Sequence, residues 1–435
     1  MARSSTSTRA ARRASPPLEH RILVTATLIL IAYGAVMVYS ASSPAGVING
    51  GGYGAGEFLM YLLAAILGLI AMRVLEFYGL RIFNERFVRF LLLGSFLLLL
   101  AVMVPGVGRS AGGARRWFAL GPLEFQPSEL MKLVLILYVA RYLADHPRRL
   151  QRRFREAVAP VAVAVGPACL LIAAEPDLGT ALVVFVTVGT LLIVAGMPIR
   201  YLAMIVGCAL LAACMFILAE PYQRARLLSF LHPFSQQRGS GYQAAQGQIA
   251  VGSGGVFGVG LGQSIQKLFW LPEAQSDFIL AVIGEELGVL GILALLALYG
   301  MIAYAGLRTA RRAATRHAKL LASGLTSLIH CQAILNTFVV LGIAPLTGVP
   351  LPFISYAPTN LVVMLSSVGL LLGIARPRVP ELRIVDQRPQ RVTAAARLGA
   401  NEHGETHEQH ADRDRRRRDR RPRGAGAGRR GRTAS

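Results

Sequence analysis

An all-α, polytopic membrane bundle of about ten transmembrane helices is the fold this sequence predicts, and three observations predict it. The 435 residues are 54% hydrophobic and only 16% charged, whereas a soluble domain carries roughly a quarter charged residues. The mean hydropathy is +0.49. The apolar residues gather into ten runs, most close to the roughly 20 residues that a helix rising about 1.5 Å per residue needs to cross a bilayer.

The runs cover residues 22–43, 58–75, 88–104, 129–144, 157–174, 178–196, 199–219, 277–307, 318–342 and 353–375. The first follows a basic, Ser-rich start and has no small-residue cleavage site after it, so it reads as a retained helix rather than a cleaved signal. An even number of spans leaves both termini on one side. With the N-terminus in the cytoplasm, the inner gaps hold Arg81 and Arg86; Arg148, Arg149, Arg152, Arg153 and Arg155; and Arg308, Arg311, Arg312 and Arg316. The outer gaps 44–57, 175–177 and 343–352 hold no Lys or Arg. This is the positive-inside bias, with both ends cytoplasmic.

Two outer loops break the bias. Loop 105–128 carries Arg109, Arg115 and Arg116, and the long extracytoplasmic loop 220–276 carries Arg224, Arg226, Arg238 and Lys267. Cations placed there fit an anionic partner, although long loops also translocate regardless of charge. The flanks differ from the membrane part. Residues 1–21 are basic and expected to be disordered, as is the tail 377–435, whose part Glu402–Ser435 is rich in charge, above all Arg, and poor in apolar residues. The tail suits the anionic cytoplasmic leaflet better than a nucleic acid. Cys169, Cys208, Cys214 and Cys331 lie within apolar runs without CxxC spacing and read as small buried hydrophobes.

Ionisable residues inside spans are costly and so are candidates for function. Glu129 and Lys132 open the fourth run three residues apart, on one helix face, where they can pair with each other or hold a phosphate. In Leu271-Pro-Glu-Ala-Gln-Ser-Asp277-Phe, Pro272 and Ser276 mark a helix entry that puts Asp277 at the outer surface near a helix N-terminus. There the helix dipole stabilises a carboxylate, as a reactive group or as a plain cap. Glu285 and Glu286 lie two turns deeper and should face the bundle interior. The run from Gln246 to Gly262 is rich in glycine, which allows close backbone approach, but no Gly-Lys-Ser/Thr follows it as in a Walker loop. The eight His are scattered, none has HExxH spacing, and no metal-ligating constellation is visible.

Taken in order, several motifs resemble the SEDS family (shape, elongation, division and sporulation proteins, including FtsW, RodA and SpoVE). They are Gly113-Ala-Arg-Arg-Trp117, Gln126-Pro-Ser-Glu129 with Lys132, Glu175-Pro-Asp-Leu-Gly-Thr180, Arg226-Leu-Leu-Ser-Phe-Leu, Gly241-Tyr-Gln, Gly262 to Lys267, Leu271-Pro-Glu to Gly288, and Leu351-Pro-Phe-Ile-Ser-Tyr356. The resemblance runs from about Val36 to Arg376. It implies a peptidoglycan glycosyltransferase that polymerises lipid II outside the cytoplasmic membrane and releases undecaprenyl pyrophosphate. It also implies a class B penicillin-binding transpeptidase and other division proteins as partners. The family's essential acid falls on Asp277, a suitable base for the attacking 4-hydroxyl. Arg115, Arg116, Arg226, Lys267 and Lys132 could stabilise the leaving diphosphate, with Glu129, Glu175, Asp177, Gln246 and Glu286 as further substrate-binding candidates. A divalent cation, Mg or Mn, could share that task near Asp277 or Glu175, although no spacing requires it.

Three stretches depart from the family pattern. Leu-Asp-Pro becomes Leu231-His232-Pro233, Glu-Ala-His-Thr-Asp becomes Glu273-Ala-Gln-Ser-Asp277, and Tyr-Gly-Gly-Ser-Ser becomes Tyr356-Ala-Pro-Thr-Asn360. The last removes flexibility at a loop-to-helix junction. A lipid II flippase and a non-catalytic division scaffold are the competing expectations. The outer position of the carboxylate and the lack of an inverted-repeat signature favour the enzyme over the flippase. The Ile283-Gly-Glu-Glu-Leu-Gly288 stretch and the charged tail lean toward the division type rather than the elongation type.

Overall fold

The computed structural model describes residues 17–48, 55–111, 114–121, 123–147, 154–231, 240–268 and 270–376. The expected disorder of residues 1–16 and 377–435, the arginines Arg148, Arg149, Arg152 and Arg153, and the His232-Pro233 departure all lie outside the described residues.

Every apolar run is a helix. In chain order these are α1 (Leu18–Ile48), α2 (Ala55–Ile82), α3 (Glu85–Met103), α4 (Pro127–Asp145), α5 (Phe154–Ala174), α6 (Leu178–Val194) and α7 (Ile199–Ala219), followed after two further helices by α10 (Ile279–Arg312), α11 (Arg316–Val340) and α12 (Pro358–Ala375). Seven of them, α1, α2, α3, α7, α10, α11 and α12, are long and apolar enough to cross a membrane. Helices α5 and α6 have shorter apolar stretches, and α4 carries Glu129, Lys132, Arg141 and Asp145. Helix α4 can be that polar because it is enclosed: both its sides from Pro127 to Ala140 are largely buried against α3, α6 and α11.

The structure corrects several expectations. Loop 105–128 folds into a three-stranded antiparallel sheet, β1 (Arg109–Ala111), β2 (Ala114–Leu120) and β3 (Leu123–Phe125), a small addition to a mostly helical bundle. Arg109 pairs with Trp117 across β1 and β2, and Phe118 with Phe125 across β2 and β3. Loop 220–276 contains two helices, α8 (Pro221–Leu231) and α9 (Ser240–Ser253). Helix α1 begins four residues early, inside the segment expected to be disordered. Cys208 and Cys214 are exposed on α7, which buries no residue within the chain, while Cys169 and Cys331 are half-buried. A lipid environment makes those exposed positions as apolar as a core, which is why sequence hydropathy reads them as interior.

One end of the bundle is stitched by buried carboxylates. Glu76 on α2 meets His20 of α1 at 2.7 Å, Arg73 at 3.0 Å and Arg376, just past α12, at 2.7 Å. Glu19 of α1 meets Arg308 and Arg312 of α10 at 2.6 and 2.7 Å. These contacts put the start of α1 and the end of α12 at the same end of the bundle, the end rich in arginine.

At the other end α10 is broken. Gly288 leaves the helical region (φ 67°, ψ −164°), a conformation essentially confined to glycine. The break frees backbone groups, and the Gly-rich segment after α9 takes them up. Val259 and Gly260 donate N–H to the carbonyls of Glu285 and Glu286 at 2.9 and 3.0 Å, while Val289 and Leu290 donate to Gly255 and Val256 at 3.0 and 3.2 Å. A Cβ on Gly288 would collide with the Val256 carbonyl and the Gly258 N–H. Gly288→Ala therefore combines about 1–3 kcal/mol of backbone strain with loss of this interlock. The expected outcome is a lowered thermal midpoint of the detergent-purified protein, measured against Gly300→Ala, where an added Cβ meets nothing within 4 Å.

Candidate functional site

The site lies where α10, α6 and α12 begin and α11 ends, at the end of the bundle opposite the Glu19 and Glu76 clusters. Asp277 precedes the first turn of α10 and is half-buried. The N-cap of α10 is Phe278, and no side chain caps it, so the plain-cap alternative for Asp277 does not hold. The turn that carries it contains Glu273 at φ 56°, an unusual conformation for a residue with a Cβ. Gly348 (φ +70°) forms a wall of the site: a Cβ there would sit 3.3 Å from Asp277 Oδ2.

Three charged groups predicted from the sequence converge on this carboxyl. Burial pushes Asp277 up to about 7, the negative charge of Glu273 adds to the rise, and Arg226 pulls the other way; Asp177 then raises it and Arg116 lowers it. Arg116 is held in place at the turn between α5 and α6, where its Nε and Nη2 donate to the carbonyls of Glu175 and Pro176 at 2.6 Å each. A helix end offers such carbonyls without partners. Asp177 caps α6 by accepting from Thr180 N–H at 3.0 Å, and Gln126 Nε2 approaches its other oxygen at 3.4 Å. Glu175 is buried with both carboxyl oxygens lacking a partner among the described residues. Burial, then the charge of Asp177, push it up to about 8 against the pull of Arg116.

The other candidates lie elsewhere. Arg115 is exposed on β2 opposite Ser110, while Arg116 is the extra residue of a β-bulge, between the pairs Ser110–Arg115 and Arg109–Trp117. Gln246 is half-buried on α9. Glu129 and Lys132 form a buried pair at 2.7 Å, and Asn360 Nδ2 donates to the free oxygen of Glu129 at 2.6 Å and to Gln332 Oε1 at 3.0 Å. Lys267 pairs with Glu286 at 2.7 Å, and Ser40 of α1 bridges both. Glu285 accepts from Ser264 Oγ and from Ile265 N–H. Glu285 and Glu286 thus point inward, as the cost of exposing them to lipid requires. Among the described residues no three His, Cys, Asp or Glu side chains gather closely enough to hold a metal ion. Glu175 and Asp177 are two neighbouring carboxylates, a donor set that fits Mg²⁺ only where phosphate oxygens or water complete its shell.

Sequence reasoning missed Glu273, Gly348, Asn336 and Ser355 as parts of this site. Asn336 carried a readable signal, since it and Gln332 are amides one turn apart inside an apolar run. The charge pattern around Asp277 makes a signed prediction. Glu273→Gln removes a like charge and lowers the pH at which Asp277 ionises below about 7. Arg116→Ala removes an opposite charge and raises it. Difference infrared spectroscopy of the carboxyl stretch, with Asp277→Asn to assign the band, measures both shifts.

The chain matches the sequence model of the FtsW, RodA and SpoVE family, described as cell cycle proteins, over residues 20–379. It is 37% identical over 372 residues to stage V sporulation protein E of Bacillus subtilis (strain 168), covering 84% of this chain and 98% of that one. It is 38% identical over 387 residues to a probable peptidoglycan glycosyltransferase FtsW of Halothiobacillus neapolitanus, covering 86% and 91%. Among solved structures it resembles a chain from work on the structural coordination of polymerization and crosslinking by a peptidoglycan synthase complex. That match has a TM-score of 0.68 and 31% identity, over 82% of this chain and 98% of that one. By its ordered motifs, its helical architecture and these relatives, the chain belongs to the FtsW/RodA/SpoVE family of multi-pass membrane proteins.

Proposed function

We propose that this protein is a peptidoglycan glycosyltransferase that polymerises lipid II at the outer face of the cytoplasmic membrane, of the division (FtsW) type. The observation that carries the proposal is one half-buried carboxyl, Asp277, at the outer mouth of the bundle with Arg116 and Arg226 within electrostatic reach. The names of the relatives and of the solved synthase complex support it. In this reading ten helices span the membrane, both termini are cytoplasmic, and a class B transpeptidase and other division proteins are partners.

Ionised Asp277 takes the proton of the acceptor sugar's 4-hydroxyl as that oxygen bonds to the donor's anomeric carbon. The bond from that carbon to the lipid pyrophosphate breaks, and the diphosphate leaves with the electron pair. Arg116 and Arg226 stabilise the charge that develops there. Arg116 is already aligned by two carbonyls, so little reorganisation is needed at the moment of reaction. When bound, a divalent cation held by Glu175 and Asp177 would neutralise diphosphate oxygens. Gly348 leaves room beside the base.

Asp277→Asn should insert and fold normally yet lose about 100- to 10,000-fold in glycan formation, the usual range for a general base. Gel analysis of glycan made from lipid II by purified protein, with and without a transpeptidase, measures this. Wild-type activity in that variant removes Asp277 from the mechanism, and lipid II translocation without glycan identifies a flippase. Asp277 must be ionised to act, so the wild-type rate should rise with pH through about 7.

A further inference from the structure

The segment Gln275–Asp277 has no regular secondary structure, yet its three successive carbonyls are each held from outside. Tyr356 N–H donates to Gln275 O at 2.9 Å. Ser355 Oγ donates to Ser276 O at 2.5 Å. Asn336 Nδ2 donates to Asp277 O at 2.8 Å. Asn336 sits one turn from the outer end of α11, buried, and its same nitrogen reaches Val349 O at 2.9 Å, in the loop that also carries Gly348. Ser355 accepts from Leu351 N–H at 2.8 Å while it donates, which fixes the direction of its hydroxyl proton. One amide and one hydroxyl therefore set both the turn bearing Asp277 and the wall facing its carboxyl.

We infer that Asn336 and Ser355 are positioning residues for the transfer reaction, acting through Asp277. The inference rests on the reading of Asp277 as the base. Neither side chain needs to touch substrate. Each removes freedom from a turn whose displacement by about 1 Å would cost on the order of 100-fold in rate.

The test uses full-length protein in lipid nanodiscs with lipid II as substrate. Asn336→Leu deletes both amide donors at similar volume, and Ser355→Ala deletes one hydroxyl with little steric change. The expected result is a fall in kcat of about 10- to 100-fold for Asn336→Leu and a smaller fall for Ser355→Ala, with KM within about twofold of wild type. Thr337→Val is the control, because among the described residues that hydroxyl bonds only Ala333 O within its own helix, and its kcat should not change. In an Asp277→Asn background neither substitution should slow the residual rate further, since both act through the missing carboxylate.

Wild-type kcat in Ser355→Ala and Asn336→Leu overturns the inference, as does a raised KM with unchanged kcat. An equal loss in Thr337→Val does so too, by showing general disruption of α11. If Asn336→Leu fails to fold, Ser355→Ala with its KM and kcat decides the matter. An active Asp277→Asn would instead overturn the base itself, and that outcome is read separately from the two positioning variants.

Discussion

The break in α10 is the constraint on which the site depends. Inside a bilayer no water can satisfy a free backbone N–H or C=O, so an interrupted helix must find internal partners. Here the partners are the backbone groups of residues 255–260, which bond across the break to Glu285, Glu286, Val289 and Leu290. That exchange draws the segment after α9 into the bundle. The chain must then return to the start of α10 through residues 261–278, and this return path brings Asp277 to the outer mouth. Glycines are needed at the crossing for steric reasons, because backbone meets backbone there with no room for a Cβ at Gly254, Gly258 or Gly288. The close backbone approach that the Gly-rich run allows is thus realised against α10 itself.

Buried charges lock this arrangement. Lys267 and Glu286 join the returning segment to α10, and Ser40 adds α1. A buried ion pair contributes little net stability over an apolar pair, but losing one partner strands a charge at a cost of about 3–5 kcal/mol. Its effect is to make one register of segment against helix far better than its neighbours. Glu129 and Lys132 act in the same way for α4, with Asn360 tying the pair to α12. Arg116 is held differently: backbone carbonyls orient its guanidinium, and its charge acts on the carboxyls of Glu175 and Asp277.

The helices were legible because lipid imposes one rule on all of them, and apolar length is a direct record of that rule. The buried character of α4 was harder to read, since its charges are satisfied by Asn360 and by each other rather than by water. The small sheet at 109–125 was hidden because its strands are as short as three residues and lie in an outer loop, where hydropathy carries no signal. Asp277 could be found as an acid at a helix entry. Its freedom from capping could not, because that depends on where Phe278 begins the helix. Asn336 and Ser355 escaped for a different reason. A search for ionisable groups inside spans passes over neutral donors, although a buried amide bonded to two carbonyls constrains a turn as firmly as an ion pair.

The departure at Tyr356-Ala-Pro-Thr-Asn360 shows where such a site can absorb sequence change. Pro358 occupies the first turn of α12, where its fixed φ suits the helix and its missing N–H is not needed. Thr359 Oγ1 donates to Glu124 O at 2.7 Å and accepts from Gln126 N–H at 3.2 Å, joining β3 to α12 just where α4 begins. Asn360 reaches Glu129 and Gln332 together; the shorter Ser of the family pattern has one polar atom in place of the amide's two and extends less far. Rigidity that a flexible Gly-Gly junction would lack is supplied here by proline, and the added side chains connect neighbouring helices. These residues stand behind Ser355 and Tyr356, whose hydroxyl and N–H hold the turn of Asp277. Change is therefore accommodated in the residues that brace the straps, one step removed from the carboxyl, as long as the carbonyls of Gln275, Ser276 and Asp277 keep their donors.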